Sequence, residues 1–463
     1  MCLVVLLAGT LWGQWDRFRG PNGTGVSESP GLPTEFGAAK NLIWRQELPP
    51  GHSSPIIAGE LIYLTAVESA RLYTICLEAG SGRIVWKREA PRSRRERLHT
   101  LNNAASPTPV ADSENVYVFF PDFGLLSYTR DGEERWRLPL GPFSNIYGIG
   151  VSPIVVDDLV VLVIDQVKDS FIVTVGRNDG KVRWQKPRPE ALSGASTPAV
   201  LQSSAGPSLI LAPASFRMDA YSARDGEAMW WVRGLPSEMK SVPVVAGDFV
   251  FVSGFNLPGN NPGNQVALPN WRELLVRDDS NKDGAIQRDE MSDARTKKFW
   301  KFIDTEGRGK IDEGEWNLHQ SVMDAQNGLY VFKLGSRGDE TANLVWKYQR
   351  SVPQLPSLVV YRDVAYMLND LGVLTTLDAA TGRMLHQDRL RGVPDKYYAS
   401  PVAGDGKIFL ASNSGVVAVL RAGGEQELMA ANSLDEEVFA TPAIADGRLY
   451  VRTVSALYCF GMR

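Results

Sequence analysis

A tryptophan that returns four residues after a glycine constrains this chain more than any other feature. The pairs are Gly82 and Trp86, Gly132 and Trp136, Gly180 and Trp184, and Gly226 and Trp230. Gly382 with His386 and Gly424 with Leu428 keep the spacing with other residues, and Trp346 closes a further copy with a longer hairpin loop. A hydroxyl residue before proline opens each copy: Ser54-Pro55, Thr108-Pro109, Ser152-Pro153, Thr197-Pro198, Ser400-Pro401 and Thr441-Pro442. Val242-Pro243 is a variant, and Ser357-Leu358 lacks the proline. Between opening marks the steps are 54, 44, 45 and 45 residues, then 115, then 43 and 41. Within one copy, Ser152 to Trp184, four short β-branched or aromatic runs are broken by Asp157-Asp158 and by Asn178-Asp179-Gly180. Such runs and breaks spell strands and turns, and Asp-Gly favours a tight hairpin. Four strands in a period in the forties predict the blades of a β-propeller.

The two ends of the chain complete each other. Asn41 to Leu48 reads as a fourth strand carrying Trp44, with no three strands before it, while Ala440 to Phe460 supplies three strands and no fourth. Pairing them closes the ring and removes its open edges. The expectation is an all-β, eight-bladed propeller of four-stranded antiparallel blades, the N-terminal strand closing the last blade.

The step of 115 residues is one repeat plus about 70 more. The extra residues fall between Asn256 and Gly328, after the second strand of the fifth repeat. This divides the chain into a leader at 1–14, a first part of the propeller at 15–256, an insertion at 257–327 and a second part at 328–463. The insertion opens on a flexible linker, LPGNNPGNQ, and turns helical from Asn270 to Val276. Asp279 to Glu290, DSNKDGAIQRDE, then matches the calcium loop of an EF-hand at every constrained position. Asp279, Asn281 and Asp283 bring side-chain oxygens to a hard cation, and Gly284 makes the sharp turn. Ala285 offers its carbonyl, Gln287 reaches directly or through water, and Glu290 closes bidentately. Ile286 is the apolar residue expected to pair with a sister loop. That loop is Asp304 to Glu315, with Asp304, Glu306, the carbonyl of Lys310, Asp312 and Glu315 in register. Arg308 stands where an oxygen ligand belongs, which lowers the affinity expected there. One helix from Met291 to Ile303 is expected to join the two loops.

The net charge of −4 gives no support to nucleic-acid binding, where a basic face is expected. Arg92, Arg94, Arg95 and Arg97 form a basic run, read as a solvated loop between blades. The three cysteines are Cys2, Cys76 and Cys459. The latter two hold equivalent strand positions in different repeats, too far apart for a disulfide, so buried free thiols are expected. Met1 to Gly13 is apolar and shorter than a bilayer requires, which suits a secretory signal peptide, although no Lys or Arg precedes it. Export to the periplasm or beyond follows, with no transmembrane segment in the mature chain.

The repeats resemble those of the PQQ-like, quinoprotein-type β-propeller family. LEAGSGRIVW from Leu77 to Trp86, VGRNDGKVRW from Val175 to Trp184 and LDAATGRML from Leu377 to Leu385 carry the likeness. The resemblance implies that Trp44, Trp86, Trp136, Trp184, Trp230 and Trp346 dock between neighbouring blades and are structural. Together with the leader and WDRFRGPNG after it, the chain is similar to exported bacterial propellers, some with EF-hand insertions. Quinoprotein dehydrogenases of the family add a cofactor site, often over a disulfide between adjacent cysteines. No such pair exists here, and no G-x-S-x-G or HExxH motif is present. His52, His99 and His319 are isolated, and His386 takes a tryptophan slot as a packing residue. The reading is therefore a non-catalytic binding or interaction scaffold with calcium in the inserted EF-hand. The alternative is a PQQ-dependent dehydrogenase of alcohols or sugars. A protein partner or small ligand is expected at the ring's mouth, near His52, Tyr147 and Arg217.

Overall fold

A computed structural model describes residues 15–192, 194–202, 206–256 and 267–462. The leader and the whole LPGNNPGNQ linker after Asn256 lie outside the described residues. Eight sheets of four principal strands stand around a common axis, each antiparallel from its innermost to its outermost strand. Blades 1 to 8 begin at Ile56, Val110, Ile154, Ala199, Val244, Val359, Val402 and Ala443. Blade 8 takes its outermost strand from the other end of the chain: Leu42–Glu47 pairs with Ala456–Gly461, setting Trp44 opposite Cys459 and Arg45 opposite Tyr458. The expected ring closure is thus observed, as are free, buried Cys76 and Cys459.

The tryptophans hold neighbouring blades together. Trp44, Trp86, Trp136, Trp184 and Trp346 each donate the indole N–H to a carbonyl of the next blade's outer turn: Ala79, Arg130, Arg177, Ala223 and Ala379. Each ring lies on that turn's glycine. A β-carbon at Gly82, Gly132, Gly180, Gly226 or Gly382 would stand 2.4–2.7 Å from the indole above it. The glycine is therefore needed twice, for its positive φ and for the space its missing side chain leaves.

Three junctions depart from this rule, and at one of them His386 of blade 6 stands in the tryptophan's place beside Gln426. The long hairpin of blade 5 sends Gly338–Asp339 back to pair in parallel with Trp230 and Trp231 of blade 4, and Gly335 takes the turn glycine's place beside Trp230. In blade 7 the sequence spacing points to Leu428, but the outer turn is longer than in blades 1, 3, 4 and 6, so that Ala430 stands opposite Val419, where other blades set tryptophan. The physical reason lies across the junction. Blade 8 is the closed seam, so no outer turn exists there to receive an indole. Phe36 fills the gap instead, 4.7 Å from the Phe460 ring, and its N–H donates to Asn432 Oδ1 in the outer strand of blade 7.

The hydroxyl marks form a relay around the axis. Ser54 N–H donates to Thr108 Oγ1, Thr108 N–H to Ser152 Oγ, and Ser152 N–H to Thr197 Oγ1. On the far side Val242 N–H donates to Ser357 Oγ, Ser357 N–H to Ser400 Oγ, and Ser400 N–H to Thr441 Oγ1. Inner-strand backbone that no neighbouring strand can pair is thereby satisfied between blades. Ser357 keeps the relay without its proline, whereas Val242 has no hydroxyl to accept from Thr197.

Residues 15–36 cross the opposite mouth of the axis. Trp15 exchanges two backbone hydrogen bonds with Ile57 of blade 1, and Asp16 accepts from Ala111 of blade 2. Arg17 donates to the Pro198 carbonyl, and Asn22 exchanges two bonds with Val200, both in blade 4. Arg19 spends its guanidinium on the carbonyls of Gly23, Thr24, Ser357 and Leu358. Val26–Ser27 then pairs in parallel with the inner strand of blade 7. The WDRFRGPNG stretch is the plug of this mouth. Its glycines are forced: a β-carbon at Gly20 would meet the Trp15 ring at 2.4 Å.

Candidate functional site: the inserted arm and the loop face

The insertion leaves the ring where Phe249–Gly254 ends and returns at Gly328–Lys333, which pairs with it. Its helices are α1 (Trp271–Asp278), α2 (Ala294–Lys298), α3 (Trp300–Ile303) and α4 (Glu313–Asp324). Capping boxes start α1, through Asn270 and Glu273, and α4, through Asp312 and Glu315. The single helix expected from Met291 to Ile303 is two. Asp293 caps α2, and Phe299 leaves helical geometry between α2 and α3. Trp271, Leu274, Ile286, Met291, Trp300, Ile303, Ile311 and Trp316 form a core of the arm's own. Ile286 and Ile311 pair as a short antiparallel ladder, so the two loops lie side by side.

In the first loop the oxygen groups face inward. Asp279 accepts from the amides of Asp283 and Gly284, and Asn281 Oδ1 accepts from Asp283 N–H at 2.8 Å. Asp283 Oδ1 accepts from Ala285 N–H at 2.9 Å. Glu290 reaches back across the loop, accepting from Gln287 N–H at 2.9 Å and from Asn281 N–H at 3.2 Å. These bonds, the Gln287 amide first, hold its carboxyl below the ordinary range. Gln287 ties Asn281 to Asp283 through both ends of its amide.

The second loop contains its own cation. Arg308 donates to Asp312 Oδ2 at 2.6 Å and to Glu315 Oε2 at 2.7 Å, and its Nε lies 3.1 Å from Glu306 Oε2. Asp304 accepts from the amides of Arg308 and Gly309. Lys310 extends its ammonium toward Asp283 of the first loop, at 4.0 Å. Among the described residues no three His, Cys, Asp or Glu side chains converge as a ready metal cage.

The face that bears the arm also carries the loops entering each blade. Tyr147, before blade 3, donates its hydroxyl to Glu238 Oε1 at 3.1 Å, before blade 5. Glu238 Oε2 accepts from Lys240 and, at 2.9 Å, from Gln354 before blade 6. Lys240 also lies 4.6 Å above the Tyr147 ring. Asp370 accepts from the amides of Gln354 and Leu355, and burial raises its carboxyl pKa. On the opposite side His52 stacks at 4.2 Å on Phe439, which stacks at 5.9 Å on Tyr398. Arg452, fully buried and without a carboxylate partner among the described residues, braces this side through Ser53.

His52 and Tyr147 therefore lie at the mouth as expected, but Arg217 does not. It sits on the third strand of blade 4, paired to Asp219 and Glu190 in a pocket between blades 3 and 4. Position next to a hairpin on the loop face misled the sequence reading, because a strand's radial place decides whether its end reaches the axis. Glu238, Lys240 and Gln354, in the irregular loops entering blades 5 and 6, and Asp370, in the hairpin between the second and third strands of blade 6, escaped it altogether, since no spacing marks them. His99 lies on this face, its ring 6.0 Å from Tyr147, while His386 fills its tryptophan slot against Gln426.

Comparison with known proteins bears on both parts. The family model described as outer membrane protein assembly factor BamB matches residues 35–166, 75–257 and 336–460. The chain is similar in fold to BamB from Moraxella catarrhalis, at 12% identity and a TM-score of 0.58, over 91% of this chain and 99% of that one. It is also similar to the quinohemoprotein alcohol dehydrogenase ADHIIG from Pseudomonas putida HK5, at 12% identity and 0.57, over 97% and 80%. A europium-containing methanol dehydrogenase follows, at 12% identity and 0.53, over 97% and 98%. No curated protein matches the chain.

Proposed function

The chain belongs to the PQQ-like propeller family described as outer membrane protein assembly factor BamB, and from that premise we propose that it is an exported, non-catalytic interaction scaffold whose inserted arm binds calcium. The observation that carries the scaffold reading is the state of the axis. One mouth is crossed by residues 15–36, and at the other Tyr147, Glu238, Lys240 and Gln354 are committed to one another across the loops entering blades 3, 5 and 6, with Asp370 of a blade 6 hairpin holding the Gln354 amide. A ring braced in this way presents a surface to a protein partner or small ligand. Export rests on the apolar leader, and among the described residues no helix is long and apolar enough to cross a membrane.

The donors of the first loop suit a hard cation. Asp279, Asn281, Asp283, Gln287 and Glu290 each carry a side-chain oxygen for it, Asn281 and Gln287 once their amides release the bonds they make within the loop, and Gly284 holds the turn at a φ of 77°. These residues, with the Ala285 carbonyl, would hold calcium, which would supply charge neutralisation and rigidity. Calorimetry tests this directly: the wild type should bind one calcium, in the range of about 10⁻⁴ to 10⁻³ M expected of extracellular modules. Glu290→Ala should bind none, and unchanged binding by that variant would refute the site.

The alternative, a PQQ-dependent dehydrogenase, draws on the fold likeness to the two dehydrogenases alone. Protein reconstituted with PQQ and calcium should reduce no dye with alcohols or aldoses; sustained turnover would replace the scaffold reading.

A further inference from the structure

Between the arm and the loop face lies a cavity of about 420 Å³. Ile146, Val167 and Leu192 of the ring form its floor, and Phe299, Phe302 and Leu318 of the arm its roof. All six are only half-buried, so apolar surface that belongs in a core faces open space. Its volume lies within the range of small-molecule sites, about 300–1,000 Å³, and its lining of apolar walls with a few polar groups is theirs as well.

The polar groups around it are nearly all committed. Tyr147 donates to Glu238, Thr296 to Asp293 and Thr305 to Glu315. The carboxylates at the edge have cations: Lys240 for Glu238, Arg295 for Asp293 and Arg308 for Glu315. Lys298 is exposed at the rim. His319 is different. Its ring lies in the wall, 5.4 Å from Trp316, and makes no hydrogen bond to another described residue. Burial lowers its pKa to about 4, which leaves a neutral ring with one N–H to give. A charged occupant would lose its water here and, among the described residues, would find no unpaired charge but the solvated Lys298 at the rim. A polypeptide would have to part the arm from the ring, because the walls come from both.

We propose that this cavity binds an uncharged, largely apolar small molecule bearing one hydrogen-bond acceptor, which takes the ring N–H of His319. The inference does not depend on calcium in the first loop.

Benzophenone is a fitting probe: neutral, apolar, with a single carbonyl acceptor, and photoreactive. Irradiation of the full chain followed by peptide mapping should give saturable labelling confined to segments 146–167, 192, 299–302 and 318–323. Leu192→Trp and Leu318→Trp, which fill the cavity from opposite walls, should each cut labelling about tenfold, since a packed site excludes its occupant. His319→Phe keeps the ring and removes the N–H, and should weaken saturation by about three- to tenfold. Labelling scattered over the wild-type surface would overturn the proposal, and that result needs no variant to fold. So would labelling undiminished in both tryptophan variants.

Discussion

Ser152 shows what the hydroxyl of the repeated mark contributes. Its Oγ accepts the Thr108 N–H and its own N–H goes to Thr197, all at buried positions. Ser152→Ala keeps the strand but strands a buried amide, and should cost about 1–3 kcal/mol. Ser81→Ala, at an exposed turn, is the control, and denaturant unfolding compares the two. Equal midpoints would mean that the relay contributes no stability. A second residue governs behaviour in acid. Burial, with help from Arg452, lowers the His52 pKa to about 4, against 6.5 ordinarily. Between those values the unfolded chain takes up a proton that the folded chain refuses. Stability attributable to His52 therefore falls as pH drops from about 6.5 to about 4 and is constant below. His52→Phe keeps the stack on Phe439 and removes the titration. Its melting temperature should decline less over that interval than the wild type's, and parallel curves would exclude His52 as the source.

At the scale of elements, what repeats was legible and what replaces a repeat was not. Gly82, Trp86 and their counterparts carry a spacing, so strands, turns and docking rings could all be read from it. Ala430 could not, because the outer turn of blade 7 is longer than those of blades 1, 3, 4 and 6, which shifts the position the glycine spacing marks. In the first loop the turn at Gly284 and the return of Glu290 across the loop could be placed because both keep a fixed spacing from Asp279. The second showed Arg308 out of place without showing where its guanidinium goes. It bonds the carboxylates of Asp312 and Glu315 and approaches Glu306, so a fixed cation stands where calcium would. Arg308→Asp removes that cation and restores the missing oxygen. Calorimetry should then find a second calcium event, its affinity raised by the neighbouring loop through Ile286 and Ile311. A single event, unchanged from wild type, would mean that the second loop's backbone cannot open around an ion. The arm's separate core, with Trp271 and Trp316, implies that neither Arg308→Asp nor Glu290→Ala melts the ring.

The whole molecule is held shut by its N-terminus in two separate ways. The orphan strand at Leu42–Glu47 was legible because three strands at the far end awaited a fourth. The plug at 15–36 was not, since its work is done by single hydrogen bonds from Arg17, Arg19 and Asn22 to blades distant in sequence. The two roles separate by truncation. A chain beginning at Asn41 keeps the strand opposite Cys459 and Tyr458 but loses the plug, the carbonyl bonds of Arg19 and the Phe36 wedge. It should remain a closed monomer that melts earlier and shows faster amide exchange at Ile57, Val200 and Ala403. A chain beginning at Pro49 also loses the fourth strand of blade 8 and the Trp44 contact with blade 1. Two sheet edges are then exposed at one seam, and exposed edges recruit other chains. It should unfold at markedly lower denaturant and elute partly as oligomers. A truncation to Pro49 that stayed monomeric, with the melting point of the chain beginning at Asn41, would show that the seam is held by blade packing and not by the shared strand.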